Sequence, residues 1–291
     1  MGFINVGKEN TDSINLYYED HGSGKPIVMI HGFPLSGRSW EKQRMALVRE
    51  GYRVITYDRR GFGQSSQPAF GYDYDTFAAD LNQLMTKLDL RDVTLMGFSM
   101  GGGEVARYIG KYGSDRVSKT AILSGLTPYL LKSSDNPGAL DENAVRGMQQ
   151  TIAKDRFAYL TAFFKDFYNL DKFLGNRISE DVVHDSWNVA SMASPRGTFD
   201  CPQSWVEDFR KDVASINVPT LVMQGDADRI LPIAATGART HEAIKGSQYV
   251  VLEGAPHGML WTHADQVNKT LVDFCAGRAV STQTAKAGAA R

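Results

Sequence analysis

Short apolar runs recur along the chain, and most of them are bounded by glycine, proline or aspartate. Runs of β-branched and apolar residues that end at turn-forming residues predict strands covered on both faces of a sheet. The predicted strands are Leu16–Glu19, Ile27–Ile30, Arg53–Tyr57, Val93–Met96, Thr120–Leu123, Thr220–Gln224 and Tyr249–Leu252.

Stretches with helical periodicity lie between several of these runs. Residues 76–88 place Phe77, Leu81 and Leu84 on one face, and residues 104–112 show the same spacing. Strands that alternate with helices in this way predict an α/β fold, in which helices cover both faces of a doubly wound, mostly parallel sheet.

The alternation stops in the middle of the chain. Residues 127–214 contain aromatic helical stretches, such as 156–168, and turn-rich segments, but no convincing strand. An insertion of about ninety residues between two core strands predicts a helical cap over the carboxyl ends of the strands, where open α/β sheets bind ligands. We therefore expect a core formed by residues 1–126 and 215–276. After Ala276 the chain consists mainly of Ala, Ser, Thr, Gln and Lys, and this composition predicts a disordered tail over residues 277–291.

Charge and composition exclude several classes of partner. The 291 residues include 32 Lys and Arg and 33 Asp and Glu without long runs of one sign, so we expect no nucleic acid or anionic membrane partner. No stretch approaches the roughly 18 apolar residues of a membrane span, and the first residues do not form a signal peptide. The sequence therefore predicts a cytoplasmic protein. Cys201 and Cys275 belong to no metal or redox motif, and we expect two unpaired, inert thiols.

The segment Gly97-Phe98-Ser99-Met100-Gly101-Gly102-Gly103 fits two motifs. Gly101, Gly103 and Ala106 match the glycine spacing of a dinucleotide fingerprint, but that motif belongs to the first strand–helix turn and needs an acidic residue about twenty positions later. At least three predicted strands come first, and the acid is missing. The context therefore argues against a dinucleotide site.

The same segment matches G-x-S-x-G between a strand and a helix. This nucleophile elbow places its serine in a strained turn above the sheet, so Ser99 is the candidate nucleophile. The Met100 N–H lies at the helix start, where unpaired N–H groups favour negative charge. Met100 is therefore one candidate oxyanion donor.

A serine nucleophile needs a base and an orienting carboxylate, which follow it in the order acid, then histidine. His257 comes directly after the last predicted strand and is the candidate base, whereas structural or solvated roles are expected for the other histidines. Asp226 and Asp228 both follow the strand 220–224. We prefer Asp228 because it is farther past the strand end, while Asp226 is better placed to hold the turn.

The second oxyanion donor is expected in the loop after the strand Ile27–Ile30. That loop begins His31-Gly32-Phe33-Pro34, which makes the Phe33 N–H the candidate. Pro34 restricts Phe33 to extended geometry and thereby aims the Phe33 carbonyl. Pro34 is either a plain turn former or the residue that holds this carbonyl near the acyl group, where it accepts a hydrogen bond from hydroperoxide.

With these residues in view, the sequence resembles the α/β-hydrolase superfamily. Within it, the chain is similar to the metal-free, cofactor-free haloperoxidases, which are perhydrolases close to bacterial arylesterases and γ-lactamases. The resemblance spans residues 1–276 and implies a triad of Ser99, Asp228 and His257 with an oxyanion hole at Phe33 and Met100. Gln224 is a departure, because haloperoxidase-like members often have His before this glycine. The residues that carry the resemblance are 31–35, 57–63, 97–108, 166–170 and 255–258.

The resemblance also implies the chemistry. We expect acyl-serine chemistry on a short ester, amide or carboxylate, with hydrogen peroxide as a second acceptor and with neither cofactor nor metal. The alternatives are an arylesterase or γ-lactamase as the main activity and, in another class, a small-molecule receptor with slow turnover. Members often form oligomers, so a homo-oligomer stays open.

The acyl pocket is expected to include Phe33 and Met100. Positions similar to the acyl-site residues of arylesterases add Leu126, Tyr159, Phe163 and Ile230, and Pro34 is a further candidate for contact with the substrate. The competing explanation is that aromatic residues at helical spacing simply pack a core. A pocket crowded by such side chains favours small acyl groups such as acetyl.

Overall fold

One sheet of eight strands organises the computed structural model, which describes residues 1–280. Its spatial order is β1-β2-β4-β3-β5-β6-β7-β8, with antiparallel pairing from β1 to β2 and from β2 to β4 and parallel pairing elsewhere. The strands are β1 Gly2–Glu9, β2 Asp12–His21, β3 Pro26–Ile30, β4 Arg53–Tyr57, β5 Val93–Phe98, β6 Val117–Leu123, β7 Thr220–Gly225 and β8 Gln248–Leu252.

Each predicted strand lies within one of these eight, but β1 was not predicted. Within β1 only Ile4 is buried, because this strand forms an exposed antiparallel edge of the sheet. A polar, glycine-containing segment of this kind lacks the apolar run that marks the inner strands. The predicted doubly wound, mostly parallel fold is confirmed.

Helices connect the strands, and the first of them follows a 3₁₀ turn at Gly37–Trp40. They are α1 Glu41–Arg49, α2 Tyr74–Lys87, α3 Met100–Tyr112, α4 Glu142–Lys154, α5 Arg156–Tyr168, α6 Leu170–Phe173, α7 Glu180–Ser191, α8 Pro195–Ser204, α9 Arg210–Ala214, α10 Gly237–Ala243, α11 Met259–Thr262 and α12 Ala264–Cys275. Along residues 1–280, none of the helices combines the length and the apolar character that crossing a bilayer requires.

Two apolar clusters cover the sheet. Phe77 of α2 and Val105 of α3 belong to one cluster, whereas Leu47 of α1 and Leu271 of α12 belong to the other. Strand residues alternate between the clusters: Val28 of β3 joins the first, and its neighbours Ile27 and Met29 join the second. The sheet is thus buried on both faces, which explains why its inner strands are continuous apolar runs.

Between β6 and β7 the described chain contains the helices α4 to α9 and only isolated β-bridges. The separation of 127–214 as a cap from a core of 1–126 and 215–276 stays a prediction. The predicted tail begins at residue 277, and its residues from 281 onward lie outside the described part of the chain.

Candidate active site

Ser99 occupies the sharp turn between β5 and α3. Its backbone angles, φ of 55° and ψ of −119°, lie in a region that residues other than glycine rarely adopt. The turn fits closely over the neighbouring strand, because a Cβ at Gly101 would lie 2.4 Å from the carbonyl oxygen of Ile30. The sequence therefore folds locally into the predicted elbow, with Ser99 at the carboxyl end of the sheet.

His257 lies between Ser99 and Asp228. Its Nε2 is 2.9 Å from the Ser99 Oγ, and its Nδ1 is 2.7 Å from the Asp228 Oδ2. The imidazole is fully buried, and the rings of Phe98 and Phe167 lie 5.1 and 5.2 Å from it. Because the carboxylate accepts from Nδ1–H, Nε2 is left as the acceptor for the serine hydroxyl. This arrangement equips Ser99 to lose its proton to His257.

Of the two aspartates weighed for the third position, Asp228 is the one brought to His257. Its second oxygen, Oδ1, accepts hydrogen bonds from the N–H groups of Ile230 at 2.9 Å and Leu231 at 2.8 Å. Asp226 instead accepts a 2.6 Å bond from the N–H of Gly254 and so ties the loop after β7 to the loop after β8. This matches the turn-holding position expected for Asp226.

In the described residues, two backbone N–H groups close to Ser99 have no hydrogen-bond partner. Within residues 1–280, neither the Phe33 nor the Met100 N–H donates a hydrogen bond to the protein. The Phe33 loop passes close to the nucleophile, because a Cβ at Gly32 would lie 2.9 Å from the Ser99 Cβ. Unpaired N–H donors beside a nucleophilic serine can stabilise the oxyanion that forms when the serine attacks an acyl carbonyl. The Phe33–Pro34 peptide bond is cis.

A buried ion pair joins the loop that begins at His31 to helix α3, which follows the Ser99 turn. The Arg59 guanidinium lies 2.8 Å from the Glu104 carboxylate on α3, and its Nη2 donates a 3.0 Å hydrogen bond to the His31 carbonyl. The backbone N–H of Arg59 donates a 2.9 Å hydrogen bond to the His31 Nε2. Burial, with the Arg59 charge, lowers the pKa of His31 well below its usual value, so this imidazole is a neutral structural group. The predicted structural role of His31 therefore fits its contacts.

A cavity of about 190 Å³ opens beside Ser99. The predicted wall residues Phe33, Met100, Leu126, Tyr159, Phe163 and Ile230 all line it, whereas Pro34 does not. Sequence reasoning missed five further residues that line the cavity. Arg229 and Leu231 flank the predicted residue Ile230 and could have been found from that position. The missed residues between β6 and β7 had no comparable signal in the sequence. The missed residues are Leu140, Met148, Trp205, Arg229 and Leu231.

The turn between α5 and α6 contacts the loops of both His257 and Asp228. The Phe167 carbonyl accepts a 2.7 Å hydrogen bond from the N–H of Gly258, which follows His257. The Asn169 Nδ2 donates a 2.9 Å bond to the carbonyl of Ala227, which precedes Asp228. A third contact is the ion pair between Arg229, which follows Asp228, and Asp171 at 2.7 Å. We refer to residues 166–171 as the α5–α6 turn.

A second cavity and the two thiols of the described residues are separate from this centre. A larger cavity of about 290 Å³, lined by Glu19, Asp58 and Met192 among others, does not include Ser99. Cys201 and Cys275 are buried free thiols. Across residues 1–280, no group of three or more His, Cys, Asp or Glu side chains is arranged to hold a metal ion.

Comparison with known proteins places this geometry in a family. Residues 25–264 match the family described as "alpha/beta hydrolase fold". A protein of Synechocystis sp. named "Putative non-heme chloroperoxidase" is 58% identical over 94% of this chain and 99% of its own. A "Bifunctional esterase/perhydrolase" of Acinetobacter calcoaceticus is 31% identical over 94% and 99%, respectively. The crystal structure of a bromoperoxidase from Bacillus anthracis superposes with a TM-score of 0.91 at 49% identity, covering 94% of this chain and 99% of that one.

Proposed function

The chain belongs to the α/β-hydrolase family, and from this membership we propose that it is a serine hydrolase of the non-heme haloperoxidase and perhydrolase type. The observation that carries the proposal is the continuous hydrogen-bonded series from the Ser99 Oγ through His257 to Asp228, at 2.9 and 2.7 Å. The relatives named chloroperoxidase and esterase/perhydrolase support the same chemistry.

In the first half-reaction His257 acts as the base. Its Nε2 removes the proton from Ser99 as the Oγ attacks the acyl carbonyl, and Asp228 stabilises the imidazolium that forms. The N–H groups of Phe33 and Met100 stabilise the negative charge on the carbonyl oxygen. His257 then protonates the leaving group, and an acyl-serine remains.

The second half-reaction depends on the acceptor. Water or hydrogen peroxide loses a proton to His257 and attacks the acyl carbonyl, the bond from the acyl carbon to Ser99 Oγ breaks, and the proton returns to the serine. Water yields the carboxylic acid, and hydrogen peroxide yields a peracid. The peracid then transfers its terminal OH to halide: the O–O bond breaks, an O–halogen bond forms, and the products are hypohalous acid and the carboxylate.

The cavity sets the class of acyl group. A volume of about 190 Å³ bounded by aromatic and aliphatic side chains fits a short acyl chain better than a long one. We therefore propose small esters, or a short carboxylic acid together with hydrogen peroxide, as substrates.

Steady-state kinetics of the purified protein test the proposal. Hydrolysis of p-nitrophenyl acetate and peracetate formation from acetate and peroxide share the acyl-serine, so Ser99→Ala should lower both by about 10⁴-fold or more. Asp228→Asn should lower both by a similar factor, because the imidazole loses its orienting acceptor. Asp226→Asn is the matched control, since it changes a carboxylate in the same loop but keeps an oxygen for Gly254.

Three outcomes count against the proposal. Loss of only one activity in Ser99→Ala would exclude a shared acyl-enzyme. Equal losses in Asp226→Asn and Asp228→Asn would exclude a specific role for Asp228. A single burst equal to the enzyme concentration, without sustained turnover, would instead favour the receptor-like alternative.

A further inference from the structure

Two methionine residues line the cavity where, under the proposed function, a peracid forms. Met100 follows the nucleophile, and Met148 comes from α4. A thioether is the side chain that oxidants attack most readily after a thiol, and both thiols of the described chain are buried elsewhere. The two sulfur atoms differ in what surrounds them.

Met100 is held by a charge. Its Sδ lies 3.9 Å from the Nη1 of Arg59, a guanidinium that is only 1% exposed and is paired with Glu104. A cationic donor draws on the lone pair of the sulfur and lowers its nucleophilicity. The side chain of Met100 itself is also only 1% exposed, so an oxidant has little access to it.

Met148 has a weaker partner. Its Sδ lies 3.9 Å from the hydroxyl oxygen of Tyr159, a neutral group that also lines the cavity. Burial raises the pKa of Tyr159 above its usual value, so the hydroxyl keeps its proton and stays a donor. A sulfoxide oxygen would accept a hydrogen bond from this hydroxyl far better than the thioether sulfur does.

We propose that Met148 is a turnover-linked oxidation site, which rests on the proposed perhydrolase function. The terminal peroxy oxygen of the peracid is transferred to the Sδ, the O–O bond breaks and an S–O bond forms. The sulfur is oxidised to the sulfoxide and the peracid is reduced to its carboxylic acid, which keeps the proton.

Oxidation changes the cavity as well as the residue. A sulfoxide adds a polar oxygen to a cavity that Leu126, Leu140 and Phe163 also line and in which acyl carbons are expected to bind. The KM for acyl substrates should therefore rise as perhydrolysis proceeds, while the contacts among Ser99, His257 and Asp228 stay intact. Perhydrolysis would thus limit its own duration.

The test maps methionine sulfoxide by peptide mass spectrometry after turnover with acetate and hydrogen peroxide. Excess free methionine in solution removes peracid that leaves the cavity. Met45 and Met192, which are 48% and 63% exposed, report on oxidation from bulk solvent. We expect Met148 to be oxidised at least about tenfold faster than either, because the peracid forms beside it at high effective concentration.

Three controls isolate the in-cavity step. Hydrogen peroxide alone, peracetic acid added to the solution, and Ser99→Ala with acetate and peroxide should each oxidise the exposed methionines first. In Met148→Leu, esterase activity measured relative to its own starting rate should decline more slowly during perhydrolysis than in the wild type.

The outcomes separate this proposal from the one on which it rests. If peracid forms, as measured by bromination of an added dye, but sulfoxide appears only at Met45 and Met192, the Met148 proposal is overturned and the proposed function stands. If no peracid forms while p-nitrophenyl acetate is still hydrolysed, the perhydrolase function and the Met148 proposal both fail.

Discussion

Gln224 donates a hydrogen bond from its Nε2 to the Asp228 Oδ2 over 3.3 Å, and this is the same oxygen that lies 2.7 Å from the His257 Nδ1. The amide cannot turn freely, because its Oε1 accepts from the Gly237 N–H at 2.9 Å and its Nε2 also donates to the Leu231 carbonyl at 2.6 Å. Gln224 is fully buried. It therefore fixes the carboxylate that orients the imidazole and acts as a positioning residue.

Replacing this amide should affect turnover more than binding. Gln224→Glu removes the donor and places a second carboxylate beside Asp228, so we expect kcat for p-nitrophenyl acetate to fall by about 10- to 100-fold with little change in KM. A fall in kcat with KM almost unchanged is what a positioning role predicts, whereas a general disturbance of the cavity would also raise KM.

Thr236→Val is the matched control for Gln224→Glu. It removes the 3.1 Å hydrogen bond from the Thr236 hydroxyl to the Gln224 Oε1 but leaves the contact between Gln224 and Asp228 in place. Its kcat and KM should stay close to those of the wild type. A fall in kcat of equal size in both variants would contradict the positioning role.

The aromatic wall of the cavity predicts a preference for short acyl chains. Phe163→Ala removes a ring that lines the cavity, so the ratio of kcat/KM for p-nitrophenyl hexanoate to that for the acetate should rise by about tenfold or more. Phe157→Ala controls for the loss of an aromatic residue from the same helix, because Phe157 is 49% exposed and does not line this cavity. An unchanged ratio in Phe163→Ala would place the acyl chain elsewhere.

His263 predicts a loss of stability in acid. Burial and the nearby Arg177 lower its pKa from 6.5 to about 4, so between these values the unfolded chain takes up a proton that the folded chain excludes. The free energy of unfolding should therefore decrease as pH falls through this range, by about 1.4 kcal/mol per pH unit for each excluded proton. His31, whose pKa is also lowered, acts in the same direction.

Urea denaturation at several pH values measures this effect. His263→Gln should make the slope between pH 6.5 and pH 4 shallower by about one proton. His184→Gln, which removes an exposed imidazole from α7, should keep the slope of the wild type. Identical slopes in all three proteins would assign the acid sensitivity to other groups.

The two thiols should be unreactive in the folded protein. Burial raises the pKa of both Cys201 and Cys275 to about 12, so almost no thiolate is present near neutral pH. Ellman's reagent at pH 8 should detect neither thiol in the native protein and both in denaturant. Rapid labelling of native protein would show that one of them is accessible.

The candidate triad could be predicted because each of its side chains follows a strand with a strong local signal. Ser99, Asp228 and His257 come just after β5, β7 and β8, and in a parallel sheet these strand ends meet at one edge. Their meeting therefore follows from the order of the strands. The preference for Asp228 over Asp226 also rested on distance from the strand end.

The cavity wall was only partly predictable, for a physical reason. Met148 and Trp205 lie between β6 and β7, and which face of a helix reaches the cavity depends on how the helices pack against one another. Local periodicity gives the apolar face but not its partner. The contact between Gln224 and Asp228 was likewise out of reach, because it depends on how α10 and the 228–231 loop fold around the amide.

The α5–α6 turn connects the helix that lines the cavity to the loops that carry His257 and Asp228. Tyr159 and Phe163 lie on helix α5. Phe167 of the same helix holds the loop of His257, and Asn169, which directly follows the helix, holds the loop of Asp228. Replacing the segment between β6 and β7 with that of another protein, in order to change substrate choice, would therefore remove contacts to the loops of His257 and Asp228. Turnover would fall even if every new residue lining the cavity suited the new substrate. A graft that preserves residues 166–171 and recodes the helices around them would leave those loop contacts in place.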